Sequence, residues 1–330
     1  MMTQQEFYQS VLDGIASYLP PEFEDAQITL TTQVKNNDIE QTGLSIKRSD
    51  EMVSPIIYLE SYYCQYEEGA PMDTLLKSIA DVRINNAVLP IEGISAESLK
   101  DYETIKPMLQ MRIFDTEKNE RRLETIVHHC FGDFTAGYGI MLGSQEERSM
   151  SVMITPMMLD MWGITKRRLH EDTILADLSR NPLLCDMESI MRTMMTGEEP
   201  RNYLSGPPKA YDPEEVENPM FVLTSAERMN GAGLILNPVI QEKIAGVLGG
   251  NYYVLPSSVH EVLVLQDNGQ HHAQELNAMV WQINQDMVMP QEILSDKVQY
   301  YDTSSRRLVN AEERERSKEK TVTPQRAKAI

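Results

Sequence analysis

The sequence predicts an α+β protein in which amphipathic helices pack on mixed or antiparallel sheets. Two patterns carry this prediction. Short runs alternate apolar and polar residues, as half-buried strands do, and longer runs place apolar residues every three or four positions, as helices do. With 330 residues, of which 41% are hydrophobic, the chain can bury one large core or two ordinary ones. The charged fraction of 24% is that of an average globular protein and argues against a wholly disordered chain.

The first region, residues 1–105, is predicted to contain a helix, a β-hairpin, a strand and a second helix. The first helix has an apolar stripe and ends at Pro20 and Pro21, because proline cannot continue it. The segments QITLTTQVK and GLSIK flank turn-forming asparagines and predict the hairpin, and PIIYLE predicts the strand. The second helix is marked by helically spaced apolar residues, Leu75, Leu76, Ile79 and Val82.

Two further α+β halves are predicted, residues 106–196 and residues 220–305. In the middle half, MLQMRIF indicates a strand, ERRLETIVHHC a helix, and FTAGYGIML with SMSVMI a pair of strands. In the C-terminal half, FVLTS and GAGLIL indicate a hairpin, NPVIQEKIAGVL a helix, and YYVLPSSVHEVLVLQ two strands bent at Pro256. The apolar stripe from Leu276 to Met287 predicts a final helix that packs on this sheet.

One junction recurs in both halves. Thr155-Pro156 and Asn237-Pro238 each follow an apolar strand. Thr or Asn can cap a helix through its side-chain oxygen, and proline at the first helical position loses no hydrogen bond. The sequence therefore predicts a capped helix start at both places.

The segments between and after these halves lack a strand or helix pattern. Residues 197–219 are rich in proline and glycine, and we interpret them as a linker at a domain boundary, with a binding loop as the alternative. Residues 306–330 are more basic than acidic and have no apolar periodicity. We expect this basic tail to be disordered or weakly helical.

The formal net charge of −20 argues against nucleic acid as a partner of the body, since a phosphate backbone is bound by lysines and arginines. Three widely spaced cysteines without a CxxC pair favour neither disulfides nor structural zinc and fit a reducing compartment. No stretch is apolar for about 18 residues, so we expect no membrane span. These observations predict a cytoplasmic protein.

Several motifs recur in a fixed order along the chain: VKNNDIEQTGLSIK, PIIYLESYYCQYEEG and NPxxxxxIAxxLGGNYYVLPSSVHEVLVLQD. In these motifs the sequence resembles the uncharacterised bacterial family catalogued as domain of unknown function 5688, over about residues 4 to 303. The resemblance implies no activity, ligand or catalytic residue, because the family has none assigned.

The best candidates for catalysis lie between the last two predicted strands, at Ser257, Ser258, His260 and Glu261. Hydroxyl, imidazole and carboxylate groups are the types that acyl transfer uses. Residues so close along a bend rarely reach the required geometry, and the alternative interpretation is turn hydrogen bonds with His260 and Glu261 on opposite faces of a strand.

Metal and nucleotide sites have weaker support. His128, His129 and Cys130 are consecutive, and on a helix such residues point in different directions, so we expect no metal site. The Gly137-Tyr138-Gly139 segment does not open a helix after a strand, and GxxxxGK[ST] is missing. We therefore expect no cofactor, and Gly137 and Gly139 are interpreted as positions of close packing.

Two segments are candidate binding surfaces. The methionines Met187, Met191, Met194 and Met195 form a flexible apolar stripe, for which core packing is the alternative. Tyr62, Tyr63 and Tyr66 offer apolar area with a polar tip. We predict a non-catalytic intracellular binding or regulatory protein with a protein partner. A hydrolase of unrecognised type that uses the Ser/His/Glu cluster is the alternative, and the sequence leaves open whether the protein is an enzyme.

Overall fold

The computed structural model describes residues 1–51, 54–85, 98–145, 148–206, 210–212 and 220–322. The chain divides into two compact units, unit 1 (Met1–Leu99) and unit 2 (Lys100–Ile330). Within the described ranges the sheets are antiparallel and are combined with helices, which confirms the predicted α+β class. None of the helices in these ranges combines the length and the apolar character needed to span a bilayer.

In its described residues, unit 1 is a three-stranded sheet with three α-helices. Its elements are α1 (Gln4–Gly14), β1 (Gln27–Val34), β2 (Glu40–Lys47), β3 (Ile56–Tyr58), α2 (Glu60–Glu67) and α3 (Met72–Asn85). The predicted helix, hairpin, strand and helix are all present, and α2 is additional. Thr3 caps α1 in a reciprocal arrangement with Glu6, which satisfies two free backbone amides at the helix start.

The core of unit 1 lies between the sheet and the helices. Phe7, Val11 and Ile15 of the first segment are fully buried, as their spacing predicts. They pack in one cluster with the inner faces of β2, β3 and α3: Leu44, Ile46, Ile57, Leu75, Leu76 and Ile79. The helices therefore cover one face of the sheet.

Unit 2 contains two sheets and the remaining helices. Its elements are α4 (Tyr102–Ile105), β4 (Leu109–Asp115), α5 (Glu120–Leu123), β5 (His128–Phe131), β6 (Phe134–Gln145), β7 (Arg148–Met153), α6 (Pro156–Trp162), α7 (Lys166–Ser179), β8 (Leu183–Asp186), α8 (Met187–Thr196), β9 (Met220–Thr224), α9 (Pro238–Leu248), β10 (Tyr252–Leu255), β11 (Glu261–Gln266), α10 (Ala273–Met287), β12 (Gln299–Asp302), β13 (Arg307–Asn310) and α11 (Ala311–Val322).

The two sheets of unit 2 share one core. In the smaller sheet β6 pairs with β4, β5 and β7, and the larger sheet has the order β13-β12-β10-β11-β9-β8. A 3₁₀ helix, Gly231–Leu236, contacts β4 of one sheet and β9 and β11 of the other. Its apolar residues join side chains of both sheets in a single buried cluster.

The free edge of β4 is covered, which prevents it from pairing with another chain. The Met111 amide donates to Asp177 Oδ1 of α7 at 3.3 Å. On the same edge, a Cβ added at Gly233 would collide with the Met111 carbonyl oxygen, so only glycine allows the 3₁₀ helix to come this close.

Two local predictions differ from the structure. ERRLETIVHHC forms only the short helix α5 and then strand β5, so the predicted single helix is wrong. GAGLIL is the 3₁₀ helix and not the second strand of a hairpin; FVLTS contributes β9, which pairs with β8 and β11. Gly231 and Gly233 explain the second difference, because each is packed against backbone that leaves no room for a Cβ.

The predicted disordered tail also needs correction over most of its described part. Arg307–Asn310 forms β13 on the edge of the large sheet, and Ala311–Val322 forms α11, which contacts α10. The helical alternative therefore describes this segment better than disorder. Residues 323–330 lie outside the described part of the chain.

The segment 197–219 lies between α8 and β9 along the chain, and β9 pairs with β8 in the large sheet. The strands of the predicted middle and C-terminal halves thus share a sheet, and the division between compact units falls instead at Leu99 and Lys100. Tyr203 and Leu204 are buried in the core, and the Tyr203 amide donates to the Leu184 carbonyl. These contacts are those of a loop packed on its own domain. Residues 207–209 and 213–219 lie outside the described part.

Candidate functional site

The residues proposed for catalysis lie where the sequence places them, between β10 and β11. Ser258 Oγ accepts a hydrogen bond from the His260 backbone amide at 3.0 Å. His260 Nδ1 accepts one from the Asn230 amide at 3.1 Å, and its Nε2 lies 3.6 Å from Glu292 Oε1. Glu261 begins β11 opposite Thr224 and is exposed.

This arrangement differs from that of a serine hydrolase. A general base must offer a free ring nitrogen to the serine hydroxyl. Here Asn230 occupies the lone pair of His260 Nδ1, which places the ring proton on Nε2, facing Glu292. The imidazole therefore links the 225–230 loop to the segment after α10, and the carboxylate beside it is Glu292 and not Glu261.

The candidate metal ligands of the middle half are distributed over both faces of β5. His128 Nδ1 is 3.1 Å from the Ile126 carbonyl oxygen, whereas the His129 ring contacts the rings of Phe131 and His170, which also contact each other. Burial lowers the pKa of both His129 and His170. Cys130 is exposed. In the described ranges, no three His, Cys, Asp or Glu side chains are grouped so that they could hold a metal ion.

The tyrosines of α2 face the first helix. The Tyr63 and Tyr66 rings lie 5.5 and 5.3 Å from the Phe7 ring. The Met2 amide donates to the Tyr66 hydroxyl, and Tyr62 also packs against the core of unit 1. Much of the apolar area of this segment is therefore used to attach α2 to α1.

The methionine stripe occupies α8 and is largely exposed. Asp186 caps the helix by accepting from the Ser189 amide at 2.7 Å, and Gly197 ends it in the left-handed conformation. Met187 is half-buried, but 53% of Met191 and 88% of Met195 are exposed. The side chain of Met194 lies outside the described part. Core packing thus does not account for the outer end of the stripe.

A second group of residues, absent from the sequence-based candidates, lies inside unit 2. We call it the inner polar cluster, and it consists of Gln110, Arg112, Asp177, Arg180 and Glu227. Arg112 Nη2 donates to Ser151 Oγ at 2.6 Å, and Arg180 Nη2 lies 3.2 Å from Glu227 Oε1. Within the described part of the chain, further buried atoms of the cluster have no hydrogen-bond partner: Gln110 Oε1, Arg112 Nε, Asp177 Oδ2, Arg180 Nη1 and Glu227 Oε2.

Burial dominates the electrostatics of this cluster. It raises the pKa of Asp177 from 3.8 to about 7, against the opposing effect of the Met111 amide and two arginines. Burial, together with the positive charges of Arg122 and Arg180, lowers the pKa of Arg112 to about 9. Arg112 is nevertheless charged at neutral pH, so a cation lies in the interior beside an incompletely ionised carboxyl group.

The loop that carries Glu227 is backbone-strained. Arg228 and Asn230 have φ values of 52° and 54°, in the left-handed region. Asparagine tolerates this region, whereas arginine seldom adopts it. Such strain persists where surrounding contacts fix the backbone. Two hydrogen bonds fix the backbone here. The Ser225 hydroxyl donates to the Met229 carbonyl, and the Asn230 amide donates to His260 Nδ1.

A family of unknown function, DUF5688, matches residues 4–303 of this sequence. The chain belongs to this family. The resemblance seen in the sequence motifs is thereby confirmed. No curated protein and no solved structure matches the chain.

Membership in the family assigns no role to any residue, so the function has to be argued from the geometry. Sequence patterns missed the inner polar cluster because its members come from three separated segments: β4, the end of α7 and the 225–230 loop. One signal was present: Gln110 and Arg112 alternate with apolar residues in a strand whose seven positions are all buried. A charged residue at such a position needs a compensating group.

Proposed function

We propose that this chain is a non-catalytic, cytoplasmic binding or regulatory protein that recognises a protein partner through α8. The observation that carries the proposal is the exposure of Met191 and Met195 on one side of a well-capped helix. Methionine is flexible and apolar, and it is frequent at surfaces that adapt to a partner. When the groove of a partner covers such residues, their apolar surface is removed from water and the complex is stabilised.

The charge of the chain describes the partner further. With a net charge of −20, the protein attracts basic surfaces and repels acidic ones at long range. The proposed partner therefore offers an apolar groove for the methionines within a basic surrounding. The three free cysteines, two of them exposed, support a reducing, cytoplasmic setting.

Native mass spectrometry of the tagged chain, gently purified from its own cells, tests this proposal. We expect the wild-type chain to carry a stoichiometric second protein. The double variant Met191→Glu/Met195→Glu should lose it, because two carboxylates would be placed in the apolar groove. Both side chains are exposed, so the fold should change in stability by less than about 0.5 kcal/mol per site.

Met287→Glu is the matched control, since Met287 is 83% exposed at the end of a different helix, α10. This variant should keep the partner. A wild-type chain that carries no second protein, or a double variant that retains it, would contradict the proposal. Urea denaturation of all three proteins establishes that the loss of the partner is not a loss of the fold.

A further inference from the structure

The inner polar cluster combines burial with unmatched hydrogen-bonding capacity. Gln110 and Asp177 are nearly inaccessible, at 4% and 2% exposure, and Arg112 is 9% exposed. Among the described residues, each has a buried polar atom for which there is no hydrogen-bond partner. Leaving such an atom unmatched is unfavourable, and more so for a charged group. A group that satisfies several of them at once would be bound strongly.

The charges of the cluster favour an anion. Arg122 and Arg180 both act on Arg112 as positive charges, and Asp177 is the negative group that acts on it. Asp177 is itself partly protonated near neutral pH, and Glu227 is paired with Arg180. The two guanidinium groups of the cluster therefore face one carboxylate that is already paired and one carboxyl group that is only partly ionised.

The unmatched donors belong to guanidinium groups. Arginine presents its N–H groups in a planar fork that matches the oxygens of carboxylate and phosphate groups. Arg112 supplies Nε and Arg180 supplies Nη1, whereas Arg180 Nη2 lies 3.2 Å from Glu227 Oε1. The side chains of Arg180 and Glu227 are 15% and 26% exposed.

We propose that the inner polar cluster binds a small oxyanion through the guanidinium groups of Arg112 and Arg180. The site is separate from the methionines of α8 and does not depend on the function proposed for them. The neutral form of Asp177 can donate its proton to an oxygen of the anion, whereas the ionised form repels it. Binding therefore favours the protonated carboxyl group and weakens as the pH rises.

Inorganic sulfate is a suitable first probe, because it does not titrate between pH 5 and 9, and acetate represents the carboxylates. We expect sulfate, compared with chloride at equal ionic strength, to raise the Tm of unit 2 by about 3 °C at ten times its Kd. Sulfate also stabilises proteins by exclusion from their surface. The specific effect is therefore the difference between the wild-type chain and variants of the cluster.

Arg112→Met and Arg180→Met should each weaken sulfate binding at least about tenfold in isothermal titration calorimetry, since each removes a charge-assisted hydrogen bond. Arg180 is the more exposed of the two, so its variant remains informative if Arg112→Met does not fold. Arg167→Met is the matched control: Arg167 is an arginine of α7 that is 88% exposed and pairs with Glu171 at the surface. It should bind as the wild type does.

Two outcomes would overturn the proposal. The first is a wild-type chain that gives no binding heat with either sulfate or acetate, which would mean that water alone fills the cluster. The second is an equal gain in Tm for the wild type and for both cluster variants, which would leave only the general salt effect. Binding of acetate but not sulfate would support the site and assign it to carboxylates.

Discussion

Arg83 and Arg112 are both buried arginines, yet their surroundings give them different roles. Arg83 Nε donates to the Ile46 carbonyl at 2.7 Å, its Nη2 donates to the Glu51 carboxylate at 2.6 Å, and its guanidinium lies over the Phe23 ring. Such a satisfied ion pair holds α3 on the sheet of unit 1. Arg112 donates to Ser151, and its Nε has no hydrogen-bond partner among the residues that the structure describes. The first is a structural arginine, and the second has capacity left for a ligand.

Asp177 gives a prediction for the dependence of stability on pH. Its pKa is about 7 in the folded chain and 3.8 when unperturbed. Between these values the folded chain holds a proton that the unfolded chain releases, so the stability of unit 2 falls as the pH rises across this window. The full loss is up to about 4 kcal/mol. Asp177→Asn keeps the acceptor for the Met111 amide and should remove the loss.

The measurement is urea denaturation of the wild type and Asp177→Asn at pH 4.5, 6 and 7.5. Tryptophan fluorescence reports unit 2 selectively, because both tryptophans, Trp162 and Trp281, belong to it. The variant should gain stability over the wild type as the pH rises. Asp160→Asn, at an exposed position of α6, is the control and should run parallel to the wild type. A constant difference between Asp177→Asn and the wild type would show that Asp177 does not titrate in this window.

At the level of elements, the two strand-to-helix junctions show how a shared sequence pattern leads to different energetics. Asn237 is fully buried; its Oδ1 accepts from the Val239 amide and its Nδ2 donates to the Ile174 carbonyl, each at 3.0 Å. Asn237 therefore starts α9 and ties it to α7. Thr155 precedes α6 without a side-chain cap, and its buried Oγ1 has no hydrogen-bond partner in the described part of the chain.

We expect Asn237→Ala to lower the free energy of unfolding by about 2 kcal/mol, from one lost cap and one lost hydrogen bond to the Ile174 carbonyl. Thr155→Ala is the matched variant and should change it by less than about 0.5 kcal/mol, since no hydrogen bond is lost. Tryptophan-detected urea denaturation of unit 2 measures both. Equal effects at the two junctions would mean that the caps are not what distinguishes them.

Most elements could be predicted from the sequence where one face of a single periodic run is buried. The stripes of α1, α3 and α10 and the alternation of β1 and β2 are of this kind. The prediction of one helix for ERRLETIVHHC was wrong because the helix ends at Leu123. Beyond it, His128–Phe131 forms a strand because it pairs with β6. The strand Arg307–Asn310 was not predicted, because this segment is short and has little hydrophobicity of its own. It becomes a strand by pairing with β12. Tertiary pairing overrides local preference in both cases.

The candidate sites were predictable to a smaller extent. The sequence placed the methionines on one face of a helix, but it could not show that no element covers Met195. It named His260 without its neighbours, because Asn230 and Glu292 reach it from distant segments. The inner polar cluster is likewise assembled from separated segments. The spacing of neighbouring residues does not show which distant segments come together in the fold.

On the scale of the whole molecule, each compact unit has a hydrophobic core of its own. The core of unit 1 is built entirely from residues between Phe7 and Ala80, and that of unit 2 from residues after Lys100. A unit with its own core is able to fold alone. Unit 1, Met1–Leu99, is a small domain, so its stability depends on a few large buried side chains.

We therefore predict that a fragment of residues 1–99 folds by itself and unfolds cooperatively in urea, as followed by circular dichroism. The fragment 1–70 is the matched control. It ends before α3 and so lacks Leu75, Leu76 and Ile79, together with the Arg83 guanidinium that pairs with Glu51. Three buried aliphatic side chains contribute about 1.5–3 kcal/mol each, which is comparable to the whole stability of a small domain. The shorter fragment should remain unfolded, and a longer fragment without a cooperative transition would show that unit 1 needs the remainder of the chain to fold.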